Sequence, residues 1–132
     1  MINYFRVYND ARGESHLGDG QWFLRDGDFT PPSPPGYRTS NIMNARGWMV
    51  MHHPAGYRDA WHRAPARVLV IALAGSACVQ ASDGNTRVIN PGDRVMVEDT
   101  EGRGHKIEGI GGQAYTLALV LLDSAAQGES ES

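Results

Sequence analysis

The chain has 132 residues, of which 16 are Gly and 7 Pro, with 41% hydrophobic residues and a formal net charge of -3. That length holds one core rather than two, and so many turn-forming residues disfavour long helices. The Lys and Arg residues are scattered among a slight excess of Asp and Glu, with no basic stripe to neutralise a phosphate backbone, so nucleic acid is not expected as a partner.

The amino-terminal INYFRVY, residues 2–8, mixes aromatic and β-branched types at strand length and predicts a first strand. It lacks the basic flank and apolar stretch of a signal peptide, and no run in the chain approaches the roughly 18 apolar residues of a spanning helix. A cytoplasmic protein without membrane association is the expectation. QWFL, residues 21–24, predicts a short extended piece ended by the turn-like Arg25-Asp26-Gly27-Asp28. In FTPPSPPGYRTS, residues 29–40, four prolines remove backbone donors and bias their predecessors towards extended conformations, so the segment is expected to run as an arm over the domain surface.

From residue 47 onwards strand follows strand: GWMVMHH, VLVIALAG, ACVQAS, TRVIN, DRVMVED and AYTLALVLLD. Asp83-Gly84-Asn85 predicts a tight hairpin turn, and Pro91-Gly92-Asp93 a second corner. Cys78 has no partner for an internal disulfide and reads as a small buried thiol, which fits a reducing compartment. The tail SAAQGESES is small, polar and acidic, and is expected to be a flexible end. The organisation predicted is therefore an N-terminal strand and extended arm over residues 1–46, a barrel over 47–123 and a tail over 124–132. Short strands at this spacing imply an all-β sandwich or barrel, and a jelly roll is a direct way for a small domain to manage its sheet edges.

Alternation along the strands assigns faces. Of His52 and His53 only one can point inward, and His53 is the choice because Met49 and Met51 share its face. After Gly92, Val95 and Val97 alternate with Arg94 and Met96, which puts Asp99 on the inner face and Glu98 outside. Arg58 and Asp59 read either as an anion-binding group or as a rim ion pair of small worth, the rim pair being preferred. Trp48, Trp61, Tyr57 and the methionines read as core, or as the wall of a pocket for a flat organic ligand where they face inward. Gly102, Gly104, Gly111 and Gly112 do not make a phosphate loop, because no helix follows them.

One stretch carries a family pattern. Gly56, five residues, His62 and later Gly75 reproduce the spacing of the first motif of the cupins, and Pro91-Gly92-Asp93 followed by EDTEGRGH reproduces the second, with His105 two residues later than is usual. Over roughly residues 47–122 the chain resembles that family of small jelly-roll barrels, in particular a subgroup with WHxAP and EDTxGxGH. The resemblance implies a jelly-roll barrel with an N-terminal strand and proline-rich arm. It also implies that His62 and His105 stand where cupins hold a divalent ion. Two further ligand positions of the pattern are Ala64 and Val68 here, which offer no lone pair, and two imidazoles make a poor site. His53 and Asp99 are the residues that could complete one for Zn, Fe, Mn or Ni; no obligatory cofactor is expected.

The function expected is acid and base catalysis by an isomerase, cyclase or lyase on a carbonyl-containing small organic molecule. His62, His105 and Asp99 are the expected catalytic groups, and His53, Arg58, Trp61, Tyr115 and Met51 the expected substrate contacts. Two imidazoles that titrate near neutrality and converge in an apolar barrel are suited to moving a proton. A metal-dependent cupin, either a dioxygenase or a non-redox lyase or cyclase, and a non-catalytic ligand-binding module are the alternatives. A homodimer is expected, with the N-terminal strand and the proline arm crossing onto a neighbouring barrel as in related cupins.

Overall fold

The structure is a computed structural model and describes residues 1–27, 32 and 34–122. Eleven strands follow in chain order: β1 (Ile2–Asn9), β2 (Ser15–Trp22), β3 (Arg25–Asp26), β4 (Arg38–Thr39), β5 (Ala45–His53), β6 (Val68–Ala74), β7 (Ala77–Ala81), β8 (Thr86–Ile89), β9 (Arg94–Val97), β10 (His105–Gly109) and β11 (Tyr115–Leu122). A 3-10 turn at Ile110–Gly112 is the sole helical segment among the described residues, so the fold class is all-β. No helix among these residues is long and apolar enough to cross a membrane. The expected tail and parts of the proline-rich arm lie outside the described residues.

Six strands form one sheet in the order β2-β1-β9-β6-β11-β5, and three form a second in the order β10-β7-β8. The sequence explains which sides meet. Along β6, Val68, Val70 and Ala72 are buried while Leu69 and Ile71 are less so; along β7, Ala77, Val79 and Ala81 are buried in the same alternation. All of these except Ala81 join Phe5, Val7, Ile89, Val95, Tyr115 and Leu117 in one cluster drawn from both sheets, so the core is the space between them. The expected hairpin at Asp83-Gly84-Asn85 is present: Gly84 has φ +95°, its N–H donates to the Ala81 carbonyl, and the Asp83 carboxylate accepts from the Asn85 N–H.

Three features differ from expectation. β2 occupies Ser15–Trp22, beginning six residues before QWFL and sharing only Gln21 and Trp22 with it, although SHLGDGQW has little intrinsic strand preference. Its glycines explain the pairing: the Tyr4 ring of β1 lies over Gly20, where a Cβ would collide with it, and the Tyr8 ring covers Gly18. Secondly, β1 lies inside the six-stranded sheet, paired antiparallel with β2 and parallel with β9. Thirdly, the proline-rich segment is closed at its base by a two-stranded ladder of β3 with β4, Arg25 opposite Thr39 and Asp26 opposite Arg38.

Two polar clusters hold the sheet. Glu98 is not free on the outside. Its Oε1 accepts from Arg6 Nε at 2.7 Å, and its Oε2 accepts from Arg67 Nε and Nη2 at 3.1 and 3.0 Å; the Arg67 side chain is 6% exposed. Removing the carboxylate strands a buried guanidinium, so Glu98→Ala is expected to cost about 3–5 kcal/mol in urea denaturation; a loss below 1 kcal/mol would show the cluster to be dispensable. At the β2 end, His16 Nε2 and Nδ1 meet Asp10 and Asp83 at 2.8 and 2.9 Å. The hydrogen bond to Asp10, then that to Asp83, holds His16 above its ordinary 6.5. Asp10 is lowered chiefly by His16, and Asp83 chiefly by the Asn85 N–H. A raised His contributes stability that is complete below its unfolded pKa and lost as pH rises through the folded one; the lowered carboxylates contribute above their unfolded pKa and lose it as pH falls through the folded one. The clamp therefore acts between these limits, and His16→Gln should lower the thermal midpoint at about pH 5.5, below the ordinary His value, while the gap to wild type narrows as the pH is raised through the pKa of the folded His16.

Candidate active site

The site is assembled where the segment after β5 returns along β10. The Pro54–Tyr57 turn closes through Tyr57 N–H to the Pro54 carbonyl, and Gly56 N–H to the Gly112 carbonyl. Asp59 then fixes the segment to the strand: its Oδ2 accepts from Ile107 N–H at 2.8 Å, and its own N–H donates to Glu108 Oε2 at 3.1 Å. Three residues on, His62 and His105 exchange two backbone hydrogen bonds, 3.0 and 2.9 Å, as an isolated antiparallel bridge. Directly opposed residues carry their side chains on one side. The two imidazole rings accordingly lie with centroids 4.6 Å apart and planes 56° apart. Gly104 permits this approach: it has φ +79°, and a Cβ there would collide with the backbone of His62.

The hydrogen bonds determine which nitrogen of each ring is free. His62 Nδ1 lies 2.8 Å from the Ala60 carbonyl, which can only accept, so Nδ1 carries the proton. His105 Nδ1 lies 2.6 Å from Oδ2 of Asp99, again an acceptor. In the neutral form each Nε2 is therefore an unprotonated lone pair. The environments differ: the His105 side chain is 8% exposed and that of Asp99 fully buried, whereas His62 is 46% exposed. Asp99 sits beyond β9 on the inner side; its carbonyl accepts from Ala64 N–H, and its Oδ1 is buried without a partner among the described residues. The His105 N–H is what compensates that carboxylate.

A second cluster adjoins the first. His53 faces inward at the end of β5, opposite Tyr115, with their rings stacked 4.6 Å apart. The Tyr115 hydroxyl lies 3.0 Å from His53 Nδ1 and donates to the Ile107 carbonyl at 3.3 Å, and His53 Nε2 lies 3.0 Å from Met51 Sδ. Burial holds His53 below its ordinary 6.5, so it is neutral at pH 7. Burial, then the charge of Asp59, pushes the Tyr115 phenol well above its ordinary value and keeps it a donor. Asp59 joins the two clusters: its Oδ1 accepts from Tyr57 OH at 3.2 Å, and its Oδ2 lies 3.6 Å from His62 Nδ1. His52 turns outward and meets Thr116 Oγ1 at 2.9 Å.

Two expected substrate contacts stand apart. Alternation about the His62 bridge turns Trp61 to the opposite side, where the Lys106 ammonium lies 5.3 Å from its ring centroid. Arg58 is exposed and forms no ion pair with Asp59, because that carboxylate is spent on backbone N–H groups; its side chain is 5% exposed. Asp59 is thus a positioning residue rather than half of a rim pair. The only signal for it in the sequence was an acidic residue three positions before His62.

A cupin-type metal centre does not fit these residues. Ala64 and Val68 are buried in the ligand positions of the pattern, and Asp99 and Asp59 are already engaged by a histidine and by backbone donors. Among the described residues no group of three or more His, Cys, Asp or Glu is arranged to hold an ion. Two free Nε2 atoms remain, which is short of a tight site.

No family model matches the chain, and no curated protein does. Among solved structures it is similar to protein NMB1881 from Neisseria meningitidis, at 21% identity and a TM-score of 0.48, over 63% of this chain and 81% of that one. The functional reading therefore rests on the residues of this chain. If Asp59 fastens the His62 segment to β10, Asp59→Ala should raise amide exchange at Ile107 and His105 by about tenfold or more while β6 and β11 stay protected. Unchanged protection at Ile107 would refute that role.

Proposed function

We propose that the chain is a cupin-type jelly roll that performs acid and base catalysis on a carbonyl-containing small organic molecule, as an isomerase, cyclase or lyase. The observation that carries this is the His62–His105 pair: two adjacent imidazoles, each with Nδ1 tied to an internal acceptor and Nε2 left as a lone pair. The two-sheet fold and the adjacency of the two motif histidines support the cupin assignment. Cys78, free on β7, is consistent with a reducing cytoplasmic setting.

His105 is the better base. When its Nε2 takes a proton from carbon next to the carbonyl, the buried Asp99 carboxylate faces the positive charge that develops and holds the ring in one orientation. His62, half in solvent, is suited to take up a proton from water at Nε2 and, as the imidazolium, to deliver it to the substrate at a second atom. The neutral His53 and the Tyr115 hydroxyl supply polar contacts beside them, and Met51 an apolar one. A positioned acid or base contributes about 10² to 10⁴ in rate. No metal is required for such chemistry.

The test is exchange of α-protons in deuterium oxide, followed by proton NMR over a set of 2-oxo acids and 1,3-dicarbonyl compounds. Wild type should exchange at least one of them, and His105→Ala and His62→Ala should each slow it at least about 100-fold with the fold intact. Full rate in either variant would sink the proposal. Exchange that appears only on adding Zn, Mn, Fe or Ni after chelation would favour the metal-dependent alternative, and binding without exchange a ligand-binding module.

A further inference from the structure

We infer that Ser15 is a positioning residue for His105: its hydroxyl fixes the peptide plane that carries the His105 N–H to His62. Its effect on a reaction rate rests on the acid and base reading above; the contact itself does not.

Ser15 opens β2 of the six-stranded sheet and is fully buried. Its counterpart, Ser82, directly follows β7 of the second sheet. The Ser15 N–H donates to Ser82 Oγ at 2.8 Å, and the Ser82 N–H donates to Ser15 Oγ at 2.7 Å. That exchange leaves each hydroxyl its own proton to give. The Ser82 hydroxyl donates to the Glu14 carboxylate, and the Ser15 hydroxyl to the Gly104 carbonyl at 2.7 Å. A carbonyl only accepts and a hydroxyl has one proton, so the Ser15 proton is committed to Gly104.

The Gly104 carbonyl and the His105 N–H belong to one peptide unit, and a trans peptide points them in opposite directions. The N–H donates to the His62 carbonyl at 2.9 Å. Ser15 and His62 therefore hold the same rigid plane at its two ends. The hold matters because the plane is attached to a glycine at φ +79°, whose own sterics do little to fix it. Gly13 carries the rest of the loop: its carbonyl accepts from the Arg103 N–H at 2.8 Å, and a Cβ on Gly102 would collide with it. Those contacts place the loop; the Ser15 hydroxyl is the one among the described residues that bonds the Gly104 carbonyl. Without it a buried carbonyl loses its donor and the plane is free to turn about the Gly104 Cα–C bond. Such a turn takes the His105 N–H off His62, and the imidazole loses its fixed aim at Asp99, 2.6 Å away.

In 15N-labelled protein, Ser15→Ala should speed hydrogen exchange of the His105 amide about tenfold or more, and shift or broaden the Nδ1–H resonance of the His105 ring. Ser82→Ala is the control. It removes the acceptor of the Ser15 N–H and the Glu14 contact, yet keeps the backbone N–H that donates to Ser15 Oγ, so both His105 signals should stay within about twofold of wild type. A serine pair with a merely structural role would move them alike in the two variants. In wild type the Ser15 hydroxyl should itself give a slowly exchanging proton resonance, a measurement that needs no variant to fold. On a compound whose α-protons wild type exchanges, Ser15→Ala should lower the saturated rate about tenfold at unchanged KM. The resonances are read without substrate, so an absence of turnover in wild type would count against the chemistry and not against Ser15. Unmoved His105 signals in Ser15→Ala, equal changes in Ser82→Ala, an unprotected Ser15 hydroxyl, or an undiminished saturated rate would each overturn the inference.

Discussion

The site depends on one short contact, the pair of backbone hydrogen bonds between His62 and His105. Forty-two residues lie between the two in the chain, and most of the core strands are among them. A buried N–H or C=O left without a partner costs about 1–3 kcal/mol, so once the bridge forms it holds the segment at a fixed register. Register in turn decides chemistry. A slip of one residue would put Trp61 or Arg63 beside His105 and turn His62 away. Gly104 is the condition for the bridge, since it supplies both the left-handed φ and the space that the His62 backbone occupies.

Around that bridge the two carboxylates have divided roles. Asp99 is used on a side chain, His105, and Asp59 on backbone, the Ile107 and Ala60 N–H groups. The first fixes a tautomer and stands ready to offset positive charge; the second fixes the path of the chain. Both leave the imidazole Nε2 atoms free. Nδ1 is locked on each ring, and Ala64 and Val68, which carry no lone pair, are buried nearby; the proposed proton transfer uses the two Nε2 atoms that remain. The burial gradient adds direction, from the enclosed Asp99 through His105 to the half-exposed His62.

Much of the fold was legible in the chain. β1, β5, β6, β7, β8, β9 and β11 overlap the apolar or alternating stretches that predicted them, and the turns at Gly84 and Gly92 stand where Gly and Asp required. β10 was not foreseen as a strand, and of β2 only its end, Gln21 and Trp22, fell within a predicted extended piece. SHLGDGQW pairs because aromatic rings of β1 cover its glycines, and HKIEG because it lies between β7 and the returning His62 segment. In both cases the neighbour supplies the strand preference. The outer-face position of Glu98 was correctly placed by alternation, but alternation could not show that Arg6 and Arg67 would close over it.

The sequence by itself determined the all-β class and the spacing that singles out His62 and His105, and alternation favoured the inward phase of His53 and Asp99. These follow from local rules: a period of two along a strand, positive φ at Gly, and the counting of residues between motif positions. Only the tertiary structure decided that His105 is backed by Asp99, that Asp59 is a buried fastening rather than a rim charge, and that Trp61 faces away. Each of those depends on which strand lies beside which, and pairing between segments tens of residues apart is set by the packing of the whole core rather than by any window of sequence.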